Sequence, residues 1–181
     1  MTCVTLTAHV TRPIDLDDAP ALVDVLQANR AFLAPWEPVR DESYFTLEGQ
    51  REVVRHALEA QGAGLGRAHV IVHDGRVVGR ATLAGVVRGA LQSCALSYWV
   101  AAEHNGRGLA TASVGELLDV AFTELGLHRV QAETLPHNAA SQRVLARNGF
   151  VRYGLAPRYL RIAGAWQDHV MHQVLNPAAD G

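Results

Sequence analysis

Between Gly62 and Gly66, in the stretch "GAGLG", the hydrophobic period of this chain changes, and that change limits the architecture more than any other feature. Before it, apolar residues recur every three or four positions. Leu16, Ala19, Leu22, Val23 and Leu26 share one helical face behind Asp15, a residue suited to cap it. A second helical pattern runs through "LEGQREVVRHALEA" behind the cap candidate Thr46. Between the two, "APWEPVRDESYF" is broken by Pro35 and Pro38 and reads as an ordered loop around Trp36. After the glycines the period falls to two. "AHVIVHDGRVVGRATLAGVV" reads as two strands joined at Asp74-Gly75, a dipeptide that accepts the positive φ a tight hairpin needs. "SCALSYWVA" and "HRVQAETL" are further strands. "NAASQRVLARNGF" is a short helix ending at Gly149, and two last strands flank Gly164. With Thr2–Thr11 read as a first strand, the order is strand, two helices, three strands, helix, strand, helix, two strands. This predicts one mixed α/β (α+β) domain over residues 1–181, built on a single sheet with helices on its faces.

Half of the 181 residues (49%) are hydrophobic, enough to bury a core of ordinary size in one domain. Sixteen basic against eighteen acidic side chains leave a formal charge of −2, which gives no electrostatic case for nucleic acid or an anionic membrane as partner. No apolar run is long enough to span a bilayer, and the N-terminal residues lack the pattern of a secretion signal. Two cysteines, Cys3 and Cys94, make no disulfide framework, so a cytoplasmic setting is expected. The nine histidines show no metal-ligand spacing, and no metal is expected.

The chemistry-bearing stretch is "EHNGRGLATASVGELLDVAF", a strand end, a glycine turn and an amphipathic helix whose stripe is Val114, Leu117, Leu118, Ala121, Phe122 and Leu125. A helix N-terminus presents unpaired N–H groups and partial positive charge, and Gly106 and Gly108 leave those groups open to an anion. Arg107 adds a full charge. Two readings stay open on the turn alone: a phosphate or pyrophosphate cradle, or glycines that only let the chain turn. A mononucleotide loop lacks its Gly-Lys-Ser/Thr here, and a dinucleotide fingerprint lacks its third small residue, since Thr111 stands there.

"YWV", "NGRGLAT", "FTELGLHRVQAET" and "NAASQRVLARNGF", taken in that order, resemble the GNAT acetyltransferase superfamily, and most of all its RimJ/RimL branch. "AFLAPWEP" near the start and "YLRIAGAWQDHVMHQVL" near the end extend the resemblance over nearly the whole chain. It implies a mixed, mostly antiparallel sheet that splays open around a slot for acetyl-coenzyme A. It implies that Asn105, Gly106, Arg107, Gly108, Leu109, Ala110 and Thr111 wrap the pyrophosphate, although Asn105 replaces the family's usual Arg or Gln. Trp99 and Val100 then border the pantetheine arm, and the backbone N–H near Val100 polarises the thioester carbonyl. Asn138 and Ser141 match the family's Asn-x-x-Ser. Asn138 is equally suited to cap its helix, and the Ser141 hydroxyl is placed to face the leaving thiolate. Trp36, Phe45 and Tyr159 are candidates for the acceptor pocket. The implied activity is direct transfer of an acetyl group, in a ternary complex, to a primary amine. The α-amine of a protein or peptide, such as a ribosomal protein, asks least of a base because its pKa lies near 8. A small-molecule amine as acceptor, and a non-catalytic acyl-coenzyme A sensor, are the alternatives. The positions where some relatives carry a basic carboxylate, in "SCALSYWV" and "PRYLRI", have none. Glu133, Glu103, Glu37 and Asp168 remain as candidates, each expected to be solvated. Exposed edge strands would allow a homodimer.

Overall fold

The computed structural model describes residues 9–178. Within them, seven strands form one sheet in the order β1-β2-β3-β4-β5-β7-β6, from β1 (Thr11–Pro13), β2 (Gly66–His73), β3 (Arg76–Val87), β4 (Ser93–Val100), β5 (Arg129–Thr134), β6 (Val151–Ile162) and β7 (Ala165–Leu175). The helices are α1 (Ala19–Leu33), α2 (Leu47–Gly62), α3 (Leu109–Asp119), which runs on as a π turn over Val120–Glu124, and α4 (Ala139–Arg147). Of the first strand expected at Thr2–Thr11, residues 2–8 lie outside the described residues; β1 occupies Thr11–Pro13, later than expected.

Local chemistry accounts for most element ends. Thr46 accepts from the Gly49 N–H at 3.1 Å and starts α2. Asp74 and Gly75 hold φ of 49° and 74°, which closes the β2–β3 hairpin as a tight turn. Asp15 caps a short 3₁₀ turn rather than α1 itself, because Asp18 and Pro20 set the start of the longer helix. The loop after α1 is partly ordered into a 3₁₀ turn at Glu42–Phe45.

Alternation along the strands sends side chains into two cores. Val70 and Val77 meet Leu22 of α1 and Val54 of α2 on one face. Ile71, Leu83, Leu96 and Val130 meet Val114 and Leu117 of α3 and Leu145 of α4 on the other. All neighbouring strands run antiparallel except β4 and β5, which α3 connects as a parallel pair. That pair is short: only Ser93–Ala95 align with Arg129–Gln131. Beyond Ala95 the two strands part, and the sheet opens.

Candidate active site

The opening between β4 and β5 leads into a cavity of about 610 Å³, walled by the end of β4, the turn before α3 and the first turns of α4. The Ala101 N–H donates to the Val78 oxygen at 2.8 Å. Because N–H groups alternate sides along an antiparallel strand, Val100's own N–H then points away from β3, toward the opening. The early end of the β4–β5 pairing leaves this donor free of a strand partner.

The glycine turn forms the next wall. Gly106 and Gly108 hold φ of 77° and 80°, values an L side chain rarely takes, and a Cβ at either would point into open space. Gly108 is the N-cap of α3 and offers no capping side chain, so the first N–H groups of the helix remain available. Asn105 lends its amide to the turn, donating to Ala101 O at 3.2 Å and Ala102 O at 3.4 Å. An Arg or Gln at this position would reach outward, whereas Asn105 braces its own backbone. Asn105, Gly106, Gly108, Leu109, Ala110 and Thr111 all line the cavity. Arg107 does not, for its guanidinium turns toward His73 Nε2 at 3.5 Å. His73 is half-buried, with its ring 5.4 Å from that of His104. A bare, uncapped helix start with room above both glycines fits a pyrophosphate.

From the far side, Asn138 caps α4 by accepting from the Ser141 N–H at 3.1 Å. Ser141 also meets the Tyr98 hydroxyl, Oγ to Oη, at 2.7 Å. Trp99, Val100, Asn138, Ser141 and Trp36 all border the cavity, Trp36 with its ring centre 5.5 Å from that of His137. Two expected acceptor residues do not join them. Phe45 lies outside, its ring 4.1 Å under the Arg30 guanidinium. Tyr159 stands on β6, 5.8 Å from the His169 ring and partly exposed.

The carboxylates sort themselves by environment. Glu103 is solvated, as expected, and Asp168 is occupied in accepting the Arg158 N–H at 2.9 Å. Glu37 and Glu133 are instead half-buried, and burial raises the carboxyl of each above its ordinary value. For Glu37 the neighbouring Arg40 and Arg80 oppose that rise; for Glu133 no cation does. Glu133 lies two residues past the last β4–β5 pair, and the alternation that buries Val130 and Ala132 against α3 and α4 turns Glu133 to the opposite face. Burial, and next the charge of Glu133, push the Tyr159 phenol above its ordinary value. Cys94 is buried and its thiol is pushed up to about 12, so it offers no thiolate for a covalent relay. Cys3 lies outside the described residues. Among the described residues, no cluster of three metal-ligating side chains occurs, and no helix is long and apolar enough to cross a membrane.

Three further residues belong to this region: Tyr98, of which the sequence indicated the strand but not the side-chain contact, and His137 and Asn29, which it did not single out. Asn29 had a visible signal, a polar residue on the apolar face of α1 between Leu26 and Leu33. It is buried and accepts the Ala102 N–H at 2.8 Å, tying α1 to the start of the glycine turn.

Residues 10–151 match the family model described as an acetyltransferase (GNAT) domain. The chain is 34% identical over 170 residues to the [ribosomal protein uS5]-alanine N-acetyltransferase of Escherichia coli, covering 93% of this chain and 88% of that one. Its fold superimposes on the ribosomal-protein-S5-alanine acetyltransferase from Vibrio fischeri with a TM-score of 0.89 at 32% identity, over 93% of each chain. It superimposes equally, at 0.89 and 34% identity, on Mycobacterium smegmatis RimJ in complex with CoA-disulfide, covering 94% of this chain and 83% of that one. The overall fold is therefore shared with these relatives, and the chain belongs to the GNAT acetyltransferase family as an N-acetyltransferase of the RimJ/RimL kind.

Proposed function

We propose that this enzyme transfers the acetyl group of acetyl-coenzyme A to the α-amine of a protein N-terminus, with a ribosomal protein as the substrate class, by direct attack in a ternary complex. The observation that carries the proposal is the convergence of three groups on one cavity: the outward Val100 N–H, the uncapped N-terminus of α3 and the Ser141 hydroxyl. The relatives support it, since the Escherichia coli enzyme is named for alanine acetylation of a ribosomal protein and the mycobacterial RimJ structure holds a coenzyme A disulfide.

Bound acetyl-coenzyme A supplies a thioester carbonyl and a thiolate leaving group. The N–H groups from Gly106 to Thr111 seat its pyrophosphate, with Asn105 stiffening their turn and Arg107 adding longer-range positive charge. Trp99 and Val100 line the pantetheine arm, and the Val100 N–H polarises the carbonyl oxygen. Asn138 fixes the first turn of α4 so that Ser141 faces the sulfur. Trp36, with His137 beside it, walls the entrance for the acceptor. Glu133 accepts the amine proton. Its burial without a neighbouring cation lifts the carboxyl toward the amine, which improves a base that must release its proton again.

The test is release of free thiol from acetyl-coenzyme A with a panel of peptides bearing different N-terminal residues, set beside small amines. Turnover with N-terminal alanine or serine peptides is expected. Turnover with small amines alone would move the acceptor class. Tight binding of acetyl-coenzyme A with no thiol release for any acceptor would make the protein an acyl-coenzyme A sensor.

A further inference from the structure

The Tyr98 hydroxyl lies 2.7 Å from Ser141 Oγ and 3.2 Å from the Ser141 carbonyl oxygen. Its ring leaves β4 and packs on the core beneath α3, so one side chain fastens the strand on one edge of the opening to the helix that follows the other. Both side chains border the cavity. Burial pushes the Tyr98 phenol up to about 12, with the bond to Ser141 opposing that rise. The phenol is therefore neutral at working pH and has one proton to donate.

Where that proton goes decides where the serine proton goes. The Ser141 carbonyl oxygen can only accept, and a backbone bond of α4 already claims part of its capacity. If Tyr98 donates there, its own oxygen accepts from Ser141, and the serine proton points away from the cavity. If Tyr98 donates to Ser141 Oγ, the shorter contact, the serine proton is released to the cavity. A negative sulfur at the end of β4 selects the second arrangement, because only that one offers it a donor.

We propose that Tyr98 is a positioning residue for the transfer: by donating to Ser141 Oγ it aims the serine hydroxyl at the departing thiolate. The proposal rests on Ser141 facing the cosubstrate sulfur. No proton leaves either oxygen, since a phenol near 12 and an aliphatic hydroxyl are both far weaker acids than a thiol near 8.5. The amine forms its bond to the acetyl carbon, the electron pair of the broken C–S bond stays on sulfur, and the amine proton passes to Glu133. The hydroxyl pair holds the thiolate by an oriented, charge-assisted hydrogen bond.

The experiment uses the full chain and needs no acceptor. Affinity for free coenzyme A is measured by calorimetry from about pH 6 to pH 10, across the ordinary thiol pKa, with desulfo-coenzyme A as the control that has no thiol. Wild type is expected to bind the thiolate about tenfold tighter than the thiol, the scale of one hydrogen bond to a charged group. Ser141→Ala should abolish that preference, Tyr98→Phe should remove most of it, and the double variant should lose no more than Ser141→Ala alone. Desulfo-coenzyme A should bind all four proteins alike. With an N-terminal alanine peptide as acceptor, Tyr98→Phe should lower kcat about tenfold and leave KM for acetyl-coenzyme A within about twofold. A thiolate preference retained in Tyr98→Phe but lost in Ser141→Ala overturns the role of Tyr98 alone. No preference in wild type overturns the placement of Ser141, and this proposal with it. A parallel loss of desulfo-coenzyme A affinity in Tyr98→Phe would reduce the residue to holding α4 in place. Tyr98→3-fluorotyrosine keeps the packing and makes the phenol a stronger donor, so its thiolate preference should match or exceed wild type even if the Phe variant fails to fold; a weaker preference counts against the proposal.

Discussion

Glu133 and Gly108 carry opposite demands at single positions. Gly108 sits at φ 80° with open space where a Cβ would be. Gly108→Val therefore adds strain of about 1–2 kcal/mol and also fills the cradle that the helix N–H groups need. Acetyl-coenzyme A affinity should fall by well over tenfold while the melting temperature drops only a few degrees, an outcome that calorimetry and a thermal scan separate. Affinity unchanged in a folded variant would remove the cradle from the site. Glu133 is set against the fold instead. Its carboxyl is raised above 4.5 by burial, so the folded chain binds more protons than the unfolded one in the window just above that value. Stability then falls as pH rises through the window, and the full cost is present once pH has passed the raised value. Glu133→Gln should thus be more stable than wild type at pH 7, with the gap closing as wild type is protonated in acid. The same change should cut kcat by about 10²–10⁴ and erase the acid limb of the rate profile if Glu133 is the base. Gly108 was legible in the sequence because a turn into a helix restricts backbone angles locally. Glu133 could be named as a candidate but its burial could not be read, because whether a carboxylate on an alternating strand meets water depends on where the neighbouring strand stops.

Elements position the site through one short pairing and one side-chain tie. β4 and β5 share three aligned pairs and then diverge, and this early end, rather than any residue in β4, frees the Val100 N–H. The hairpin at Asp74-Gly75, the cap at Thr46 and the cap at Asn138 could all be read from sequence, each being settled within four residues. The extent of the β4–β5 pairing could not, since it depends on α3 bridging two strands and on how α4 packs afterwards. Asn29 supplies the tie. Its Oδ1 takes the Ala102 N–H, and its amide donates to Val25 O at 2.8 Å, so α1 holds the start of the glycine turn. Asn29→Ala leaves that N–H without its partner and should cost about 1–3 kcal/mol in denaturant unfolding. KM for acetyl-coenzyme A should rise while kcat changes little, because the turn is loosened and the reacting groups are not touched. A fall in kcat with KM unchanged would assign Asn29 to the acceptor side instead.

At the scale of the whole molecule, the sheet is two parts joined by a narrow seam. The part from β1 to β4 carries α1 and α2 on one face, while β5, β7 and β6 continue beyond the opening. Three aligned residue pairs between β4 and β5 and the core under α3 and α4 hold them together. A ligand lying along the opening touches β4, the start of α3 and α4 at once, and so completes an edge that the backbone leaves unpaired. Binding to the folded chain alone stabilises it by mass action, about 2.7 kcal/mol at a concentration 100 times Kd. In a chain of this size that corresponds to a rise of roughly 5–10 °C in melting temperature. The rise should not be spread evenly over amide exchange. Slower exchange is expected for Tyr98 and Val100, whose N–H groups face the opening, and for Leu109–Thr111 at the helix start. The pairing of β6 with β7, on the side of β7 away from β5, should change little beyond the global gain. Exchange measured with and without coenzyme A tests this directly, and protection that rises in β6–β7 but not in β4 would place the ligand elsewhere on the sheet.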